Sequence, residues 1–538
     1  MRQIKFRPIA HLLFVLLLAL PAYAQDAGQV LRTSVGFRTV KNTAQLDDAT
    51  RQAVTELEKK AQAANAAQKY GEALKHYAHG MALMRKQEWT PRRAFETALQ
   101  VKPDKLVFDP GDTARLRVTQ MFALDEPFAG KLTLTLALAQ ARTQPGVTVS
   151  PTVSPTLSPT PPPVIKELKT LKDVAADFSK ELLLEAVLPQ AGAGNYQLLL
   201  TLTPTAGLND GAPIVKPSTI RIERDLNGKA NQLKARIAAV RTDLEQRNQD
   251  VNHHELLLAL PRADYAASMI DMVNDGKLPL DRVEWASEFA NAHAMLDQIG
   301  KGLNPLKAKR GDIHWAYNSA LDNTVQPYRL FIPAKYDAKQ KWPLIVVLHG
   351  MGGDENSFLN GYAKGSIKDE AEKRGYLLVC PKGRGSASMY QGAAERDVLD
   401  VLKETRRQFN IDENRIYLMG HSMGGYGTWS VAVNNPDLFA ALAPISGGGT
   451  PPVVAGLKKI AHVPWLVTHG DKDPTVSVEE SRKMVKAGKD LGIEIKYNEV
   501  PGGDHGSVAV PAFKEIFDWF DAHKRQPKAA AKAAGSGQ

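Results

Sequence analysis

One cysteine in 538 residues excludes an internal disulfide, so whatever folds here is held by packed cores alone. Cys380 stands in the apolar run 376–380, where a buried, inert thiol is expected rather than a nucleophile. Also missing are paired cysteines, a His-rich ligand set, a phosphate loop and a dinucleotide fingerprint, so neither metal nor cofactor is expected. The one cluster that hints at a ligand set, His253-His254-Glu255, has no second pair near it and reads as a solvated face. Beyond the first two dozen residues no apolar run approaches the roughly 20 residues that a bilayer helix needs, so no membrane span is expected in the mature chain. The net charge of +10 also misleads. Arg2, Lys5 and Arg7 at the start and Lys524, Arg525, Lys528 and Lys532 at the end carry most of it. The body between them is near balance, which gives no reason to expect a nucleic-acid partner.

The start has the grammar of an export signal. Basic residues precede the apolar run Ile9–Leu20, then Pro21 and the small-residue site Ala22-Tyr23-Ala24. Residues 1–24 are therefore expected to be a signal peptide cut before Gln25, which points to a periplasmic or secreted protein. The remainder is too long for one core, because single cores stop growing at roughly 250 to 300 residues.

Residues 25–104 are rich in Ala, Lys, Glu and Leu and read as helical; 66–83, with Tyr70, Ala73, Leu74, Tyr77 and Leu83 at helical spacing, reads as an isolated helical hairpin. From Leu106 the texture turns to short alternating strands at 114–119, 131–137, 181–188 and 195–203, divided by Pro, Gly and Asp turns. Residues 105–225 are therefore expected to form a small all-β sandwich of immunoglobulin or fibronectin type, with a Pro/Ser/Thr-rich insert at 144–163 that stays extended. A helical stripe of Leu233, Ile237, Val240 and Leu244 opens a helical linker or brace at 226–304. Residues 305–523 alternate strand, turn and helix, and 524–538 read as a disordered basic tail.

The 305–523 segment carries the chemistry. Its runs at 344–348, 376–380, 415–419, 440–445 and 465–468 are almost wholly apolar, as strands buried on both faces must be, and 493–500 is expected as a further strand. With amphipathic helices between them they predict an α/β fold, a mostly parallel, doubly wound sheet with helices on both faces. Gly420-His421-Ser422-Met423-Gly424 follows one strand directly and opens a helix, the strand, sharp turn and helix that lift a serine oxygen above such a sheet. A serine hydroxyl needs a base to take its proton. His505, in Gly502-Gly503-Asp504-His505-Gly506 after the last strand, is the histidine placed to serve, and Asp473, after the strand 465–468, is the acid placed to orient it. Asp471 and Asp504 are rival acids, each more plausible as a turn or cap residue. His421 and His469 flank the turns and read as structural. The developing oxyanion needs amide donors: Met423 at the start of the helix, and Met351 or Gly350 in the glycine-rich loop 348–353.

Pro327-Tyr328-Arg329-Leu330, Leu348-His349-Gly350, the run Arg415 to Gly425, Pro444-Ile445-Ser446-Gly447 and His469-Gly470 with Asp473 resemble the α/β-hydrolase carboxylesterases of bacteria. The nearest branches are the phospholipase/carboxylesterase, polyhydroxybutyrate-depolymerase-like and feruloyl-esterase-like ones, often labelled prolyl-oligopeptidase-family peptidases. The resemblance covers about 313–522 and implies metal-independent ester hydrolysis through an acyl-enzyme. The depolymerase and feruloyl branches usually carry cysteine where Met351 stands, which weighs against polyester or feruloyl specificity.

The expected function is an exported serine esterase with the set Ser422, Asp473, His505, acting on ester substrates that include polymer-linked ones, on polysaccharide or polyester. Only residues 447–463 separate two strands near the site, too few for a large lid, so an open site is expected. Two other readings stand beside it: a serine peptidase of the prolyl-oligopeptidase type, and a non-catalytic surface-binding protein with a hydrolase-like domain.

Overall fold

The computed structural model describes residues 27–126, 128, 130–141, 162–205, 212–246, 251–385 and 387–525. The expected signal peptide, nearly all of the Pro/Ser/Thr-rich insert and the tail beyond 525 lie outside the described residues.

Four helices come first: α1 (Ala27–Thr43), α2 (Asp48–Ala66), α3 (Tyr70–Met84) and α4 (Pro91–Ala98). Asp47 caps α2 by accepting the Thr50 amide at 2.8 Å, and Thr90 with Pro91 behind it opens α4. Val30 and Phe37 of α1, Val54 and Ala61 of α2 and Leu74 and Tyr77 of α3 close one small core. The stretch expected as a hairpin is thus a single helix, α3, whose antiparallel partner α2 precedes it; the alanine-rich end of α2 blurred the break at 67–69. Within the region expected to be wholly helical, Leu99–Pro103 is a strand, β1, drawn into the neighbouring sheet by pairing with 116–120.

Next come β2 (Val107–Phe108), β3 (Thr113–Gln120), β4 (Lys131–Gln140), β5 (Val164–Ala175), β6 (Leu182–Val187), β7 (Gly194–Pro204) and β8 (Ile214–Ile222). They make a three-stranded sheet, β1-β3-β6, and a five-stranded sheet, β2-β8-β7-β4-β5. The inward residues of both, among them Leu116, Val118, Leu134, Leu136, Leu198 and Leu200, share one core, as the period-two burial along β3 and β4 requires.

Helices α5 (Leu226–Gln246), α6 (Val251–Leu257), α7 (Pro261–Asn274) and α8 (Trp285–Gly300) follow, then β9 (Gly311–Asn318), β10 (Val325–Ile332) and β11 (Trp342–Leu348). The rest alternates as α9 (Ile367–Arg374), β12 (Leu377–Pro381), α10 (Ala393–Gln408), β13 (Ile411–His421), α11 (Met423–Asn434), β14 (Leu442–Ile445), α12 (Pro451–Gly456), β15 (Trp465–Gly470), α13 (Val478–Asp490), β16 (Ile495–Val500) and α14 (Ala509–Ala522). The eight strands lie in the order β16-β15-β14-β13-β11-β12-β10-β9. From β12 through β11 to β16 every pairing is parallel, and β10 runs antiparallel to both its neighbours.

Alternation along these strands sorts the side chains into two cores. Leu344, Val346, Leu348, Leu377, Ile416 and Leu418 face one side, where they join not only α10, α11 and α13 but also Leu260, Tyr265, Ile270, Phe289 and Leu296 of α7, α8 and the turn before them. Ile345, Val347, Leu378, Tyr417, Met419 and Leu466 face the other, under α9 and α14, with Phe513, Ile516, Phe517 and Phe520. The helices between the sandwich and the sheet are thus part of the sheet's own core.

Candidate active site

The turn at the end of β13 is shaped by three glycines that nothing else could replace. A Cβ on Gly420 would stand 2.4 Å from the Gly424 carbonyl oxygen, one on Gly424 would stand 2.0 Å from the Leu348 oxygen, and one on Gly425 would stand 2.6 Å from the Ile445 oxygen. Every obstacle is backbone, so none can swing aside. The strand, turn and helix therefore close around Ser422, which adopts φ 59° and ψ −118°, a conformation that side chains avoid and that surrounding structure must impose. Its amide is tied to the Ile445 carbonyl at 2.9 Å.

Two further loops bring the other groups. The turns after β15 and β16 meet in backbone contact: a Cβ on Gly470 would lie 2.2 Å from the Gly503 oxygen, and the Lys472 amide donates to that oxygen at 3.0 Å. This contact sets Asp473 opposite His505. His505 Nδ1 donates to Asp473 Oδ2 at 2.7 Å, and its Nε2 lies 2.9 Å from Ser422 Oγ, in position to accept the hydroxyl proton.

The Asp473 side chain is fully buried, which alone would raise its pKa. Hydrogen bonds from His469 and His505 and from the Val476 amide outweigh that and hold it well below the usual carboxylate range. Its Oδ1 accepts the Thr475 and Val476 amides at 2.8 and 2.9 Å, leaving Oδ2 for the imidazoles. The rival acids are occupied elsewhere: Asp471 accepts the Gly502 amide at 2.7 Å, and Asp504 accepts those of Gly506 and Ser507 at 2.9 and 2.8 Å. Both are turn-closing residues.

His469 is buried among Ser481 Oγ, the Val476 carbonyl and the Asp473 carboxylate, at 2.7, 3.0 and 3.2 Å. His421 has a sharper role than its sequence context suggests. Tyr362 donates its hydroxyl to His421 Nδ1 at 2.7 Å, and His421 Nε2 donates to the backbone carbonyl of His505, also at 2.7 Å. Burial, with His505 beside it, lowers the His421 pKa to about 3, so its ring is neutral and its tautomer is fixed by these two bonds. No motif marked Tyr362; it follows a short irregular helical turn and precedes Ala363 and Lys364, both at positive φ.

The oxyanion candidates border the serine. Met423 is the first residue of α11, where an amide has no partner within its helix. At Gly350 a Cβ would touch Ser422 Cβ and the His421 carbonyl, both at 3.4 Å, so this loop runs against the serine and Met351 follows directly. Two links fix the far part of the same loop: Arg282 pairs with Asp354, and His314 Nε2 meets the buried Glu355 carboxylate at 3.2 Å. Burial would raise the Glu355 pKa, yet the hydrogen bond and charge of His314 bring it down to about 2. Among the described residues no cluster of His, Cys, Asp and Glu could hold a metal ion, and burial pushes the Cys380 thiol up.

Residues 371–448, which include Ser422 but neither Asp473 nor His505, match the family model "Prolyl oligopeptidase family". Among curated proteins, a bifunctional acetylxylan esterase/xylanase of Neocallimastix patriciarum is 30% identical over 153 residues, 28% of this chain and 22% of that protein. A probable feruloyl esterase C of Aspergillus flavus is 28% identical over 187 residues, 34% of this chain and 68% of that one. A poly(3-hydroxyoctanoate) depolymerase of Pseudomonas fluorescens is 28% identical over 208 residues, 34% of this chain and 74% of that one. The fold around the site is α/β, with a mostly parallel sheet. The relatives are serine hydrolases, esterases above all. The chain spans about a fifth of the first relative's length, 22%, and each of these matches leaves most of this chain uncovered.

Proposed function

We propose that this chain is an exported serine esterase that hydrolyses carboxylic esters through an acyl-enzyme. The observation that carries the reading is the continuous hydrogen-bonded line from Ser422 Oγ through the His505 ring to Asp473, beneath a serine held at positive φ. In the first half-reaction Ser422 Oγ attacks the ester carbonyl carbon while His505 Nε2 takes the hydroxyl proton, and Asp473 steadies the imidazolium. The carbonyl oxygen, now an anion, faces the Met423 amide and that of Met351 or Gly350, each such donor being worth about 3 kcal/mol in the transition state. His505 then gives its proton to the departing alcohol. Water repeats the cycle on the acyl-enzyme, releasing the acid and restoring the serine. Nothing in this sequence of steps calls for a metal or cofactor.

The leader at 1–24 is read as carrying the chain out of the cytoplasm. The sandwich is read as immunoglobulin-like, since its opening strand is split between the sheets: β1 joins one, and β2 runs parallel to the last strand β8 in the other. Esters attached to a polymer, polysaccharide or polyester, fit a hydrolase that carries such a module; the relatives named for acetylxylan, feruloyl and polyhydroxyoctanoate esters favour that class. The family model named for prolyl oligopeptidases keeps a peptidase as the second reading.

Release of p-nitrophenolate from p-nitrophenyl acetate tests the proposal against a chromogenic peptide in parallel. Ester turnover is expected, falling roughly 10⁴-fold or more in Ser422→Ala. Peptide cleavage without ester cleavage would reverse the two readings, and no turnover of either would favour a binding protein.

A further inference from the structure

Helix α1, more than four hundred residues from the candidate acid, lies against the loop that carries it. Thr475 Oγ1 and Thr39 Oγ1 are 3.0 Å apart, and Asn42 Nδ2 donates to the Pro474 carbonyl at 2.6 Å. The direction of the first bond follows from proton counting. Thr39 spends its hydroxyl proton on the Val35 carbonyl at 3.0 Å, so Thr475 is the donor. Pro474 and Thr475 follow Asp473 directly, and the Thr475 amide is one of the two that pin Asp473 Oδ1.

The contact continues toward the serine. Tyr426 stands one turn into α11, half-buried, over Gly448: a Cβ there would lie 3.0 Å from the Tyr426 ring and 2.7 Å from Glu480 Cβ. Burial and the Glu480 carboxylate push the Tyr426 hydroxyl up to about 12, opposed by the Arg38 guanidinium. Arg38 pairs with Glu58 of α2 at 3.0 Å, which ties it to the helical unit. The opposite side of α1, with Val30 and Phe37, is buried in its own three-helix core. The apolar side of α1 faces its own neighbours, and its polar side touches the acid loop through Thr39 and Asn42 while Arg38 and Asn42 stay exposed.

We propose that α1 is a fixed wall of the substrate cleft, and that Arg38, Thr39 and Asn42 limit the size of the group a substrate can extend past His505 toward Pro474. This rests on the esterase reading. Residues 447–463 form only α12 and a short turn, so the bordering element arrives from the other end of the chain.

The test uses the full chain and two inhibitors that phosphorylate serine, diethyl p-nitrophenyl phosphate and the bulkier bis(4-tert-butylphenyl) p-nitrophenyl phosphate. In each, the bond from Ser422 Oγ to phosphorus forms, p-nitrophenolate leaves and His505 takes the serine proton, so one burst equivalent is read directly. In Arg38→Ala/Asn42→Ala the bulky reagent is expected to gain at least about fivefold on the small one, the scale on which a pocket wall discriminates. Rates that fall or rise together would overturn the wall. A second variant guards against unfolding. Thr39→Cys/Thr475→Cys should crosslink on oxidation, because the hydroxyl oxygens already lie 3.0 Å apart and Cys380 is buried. The oxidised and reduced forms are expected to show the same ratio of small to bulky reaction. Failure to crosslink, or reaction only after reduction, would mean that the helix is not docked or must leave, and either defeats the proposal. A wild-type chain that never reacts with the small reagent defeats the esterase reading instead.

Discussion

The two faces of the eight-stranded sheet are covered in different ways, and each steadies a different half of the candidate site. The face under α9 and α14 is closed by local helices, and its reach into the site is the line from Tyr362, packed at that core, through His421 to the His505 carbonyl. The other face is closed partly by α7 and α8, and its reach is through Arg282 to Asp354 and His314 to Glu355, on the loop that supplies Gly350 and Met351. The His505 imidazole is thus held from one side and the candidate oxyanion loop from the other. What the difference teaches is that residues 226–304, although outside the strand and helix alternation, are as much a part of the site's foundation as the strands.

The strongest way to break this comparison is to remove one cover. A chain beginning at Leu303 exposes the apolar side of β9, β10 and their neighbours, and it is expected to lose cooperative thermal unfolding and ester turnover together; an intact, active fragment would make the helices a mere spacer. Single deletions compare the faces directly. Leu260→Ala in the turn before α7 and Ile516→Ala in α14, both 0% exposed, are each expected to cost about 2 to 5 kcal/mol in urea unfolding. Both are expected to leave one transition, and two transitions in Leu260→Ala would separate the covers. Gly424→Ala strikes where the faces meet, since its new methyl would sit 2.0 Å from the Leu348 oxygen. A stability loss of about 1 to 3 kcal/mol is expected with a larger fall in kcat than in KM.

The effect that vanishes at neutral pH is a pH dependence. The His421 pKa is about 3 in the fold, against its ordinary 6.5, so the unfolded chain binds the proton first as pH falls. Stability contributed by the neutral ring is complete above pH 6.5 and drains away from there toward pH 3, by at most about 1.4 kcal/mol per unit. His421→Gln should flatten that slope in melts across this range. An unchanged slope would show that burial does not hold the ring neutral in the fold.

Much of this was legible in the sequence, for reasons tied to particular residues. Leu344–Leu348 and Trp465–Thr468 read as strands because burial on both faces demands unbroken apolar runs, and Ser422 stood out because three glycines flank it. Asp473 and His505 were legible from their glycine-rich loops and chain order. Other features left no local trace. β5 was not anticipated because Lys166, Glu167, Lys169, Lys172 and Asp173 break the alternation, as an edge strand tolerates. Tyr362 sits in no motif. The contact of α1 joins residues whose proximity depends on how separate units dock, a quantity that no window of sequence contains.

That edge strand has a consequence of its own. β5 borders the five-stranded sheet, its pairing with β4 slips register three times, and most of it is exposed, including Val164 at 58% and Ile165 at 52%. Irregular backbone and a picket of lysines spoil the template that an open hydrogen-bonding rim would offer to another chain. The sandwich can therefore display a sticky margin at high local concentration without growing into a fibre.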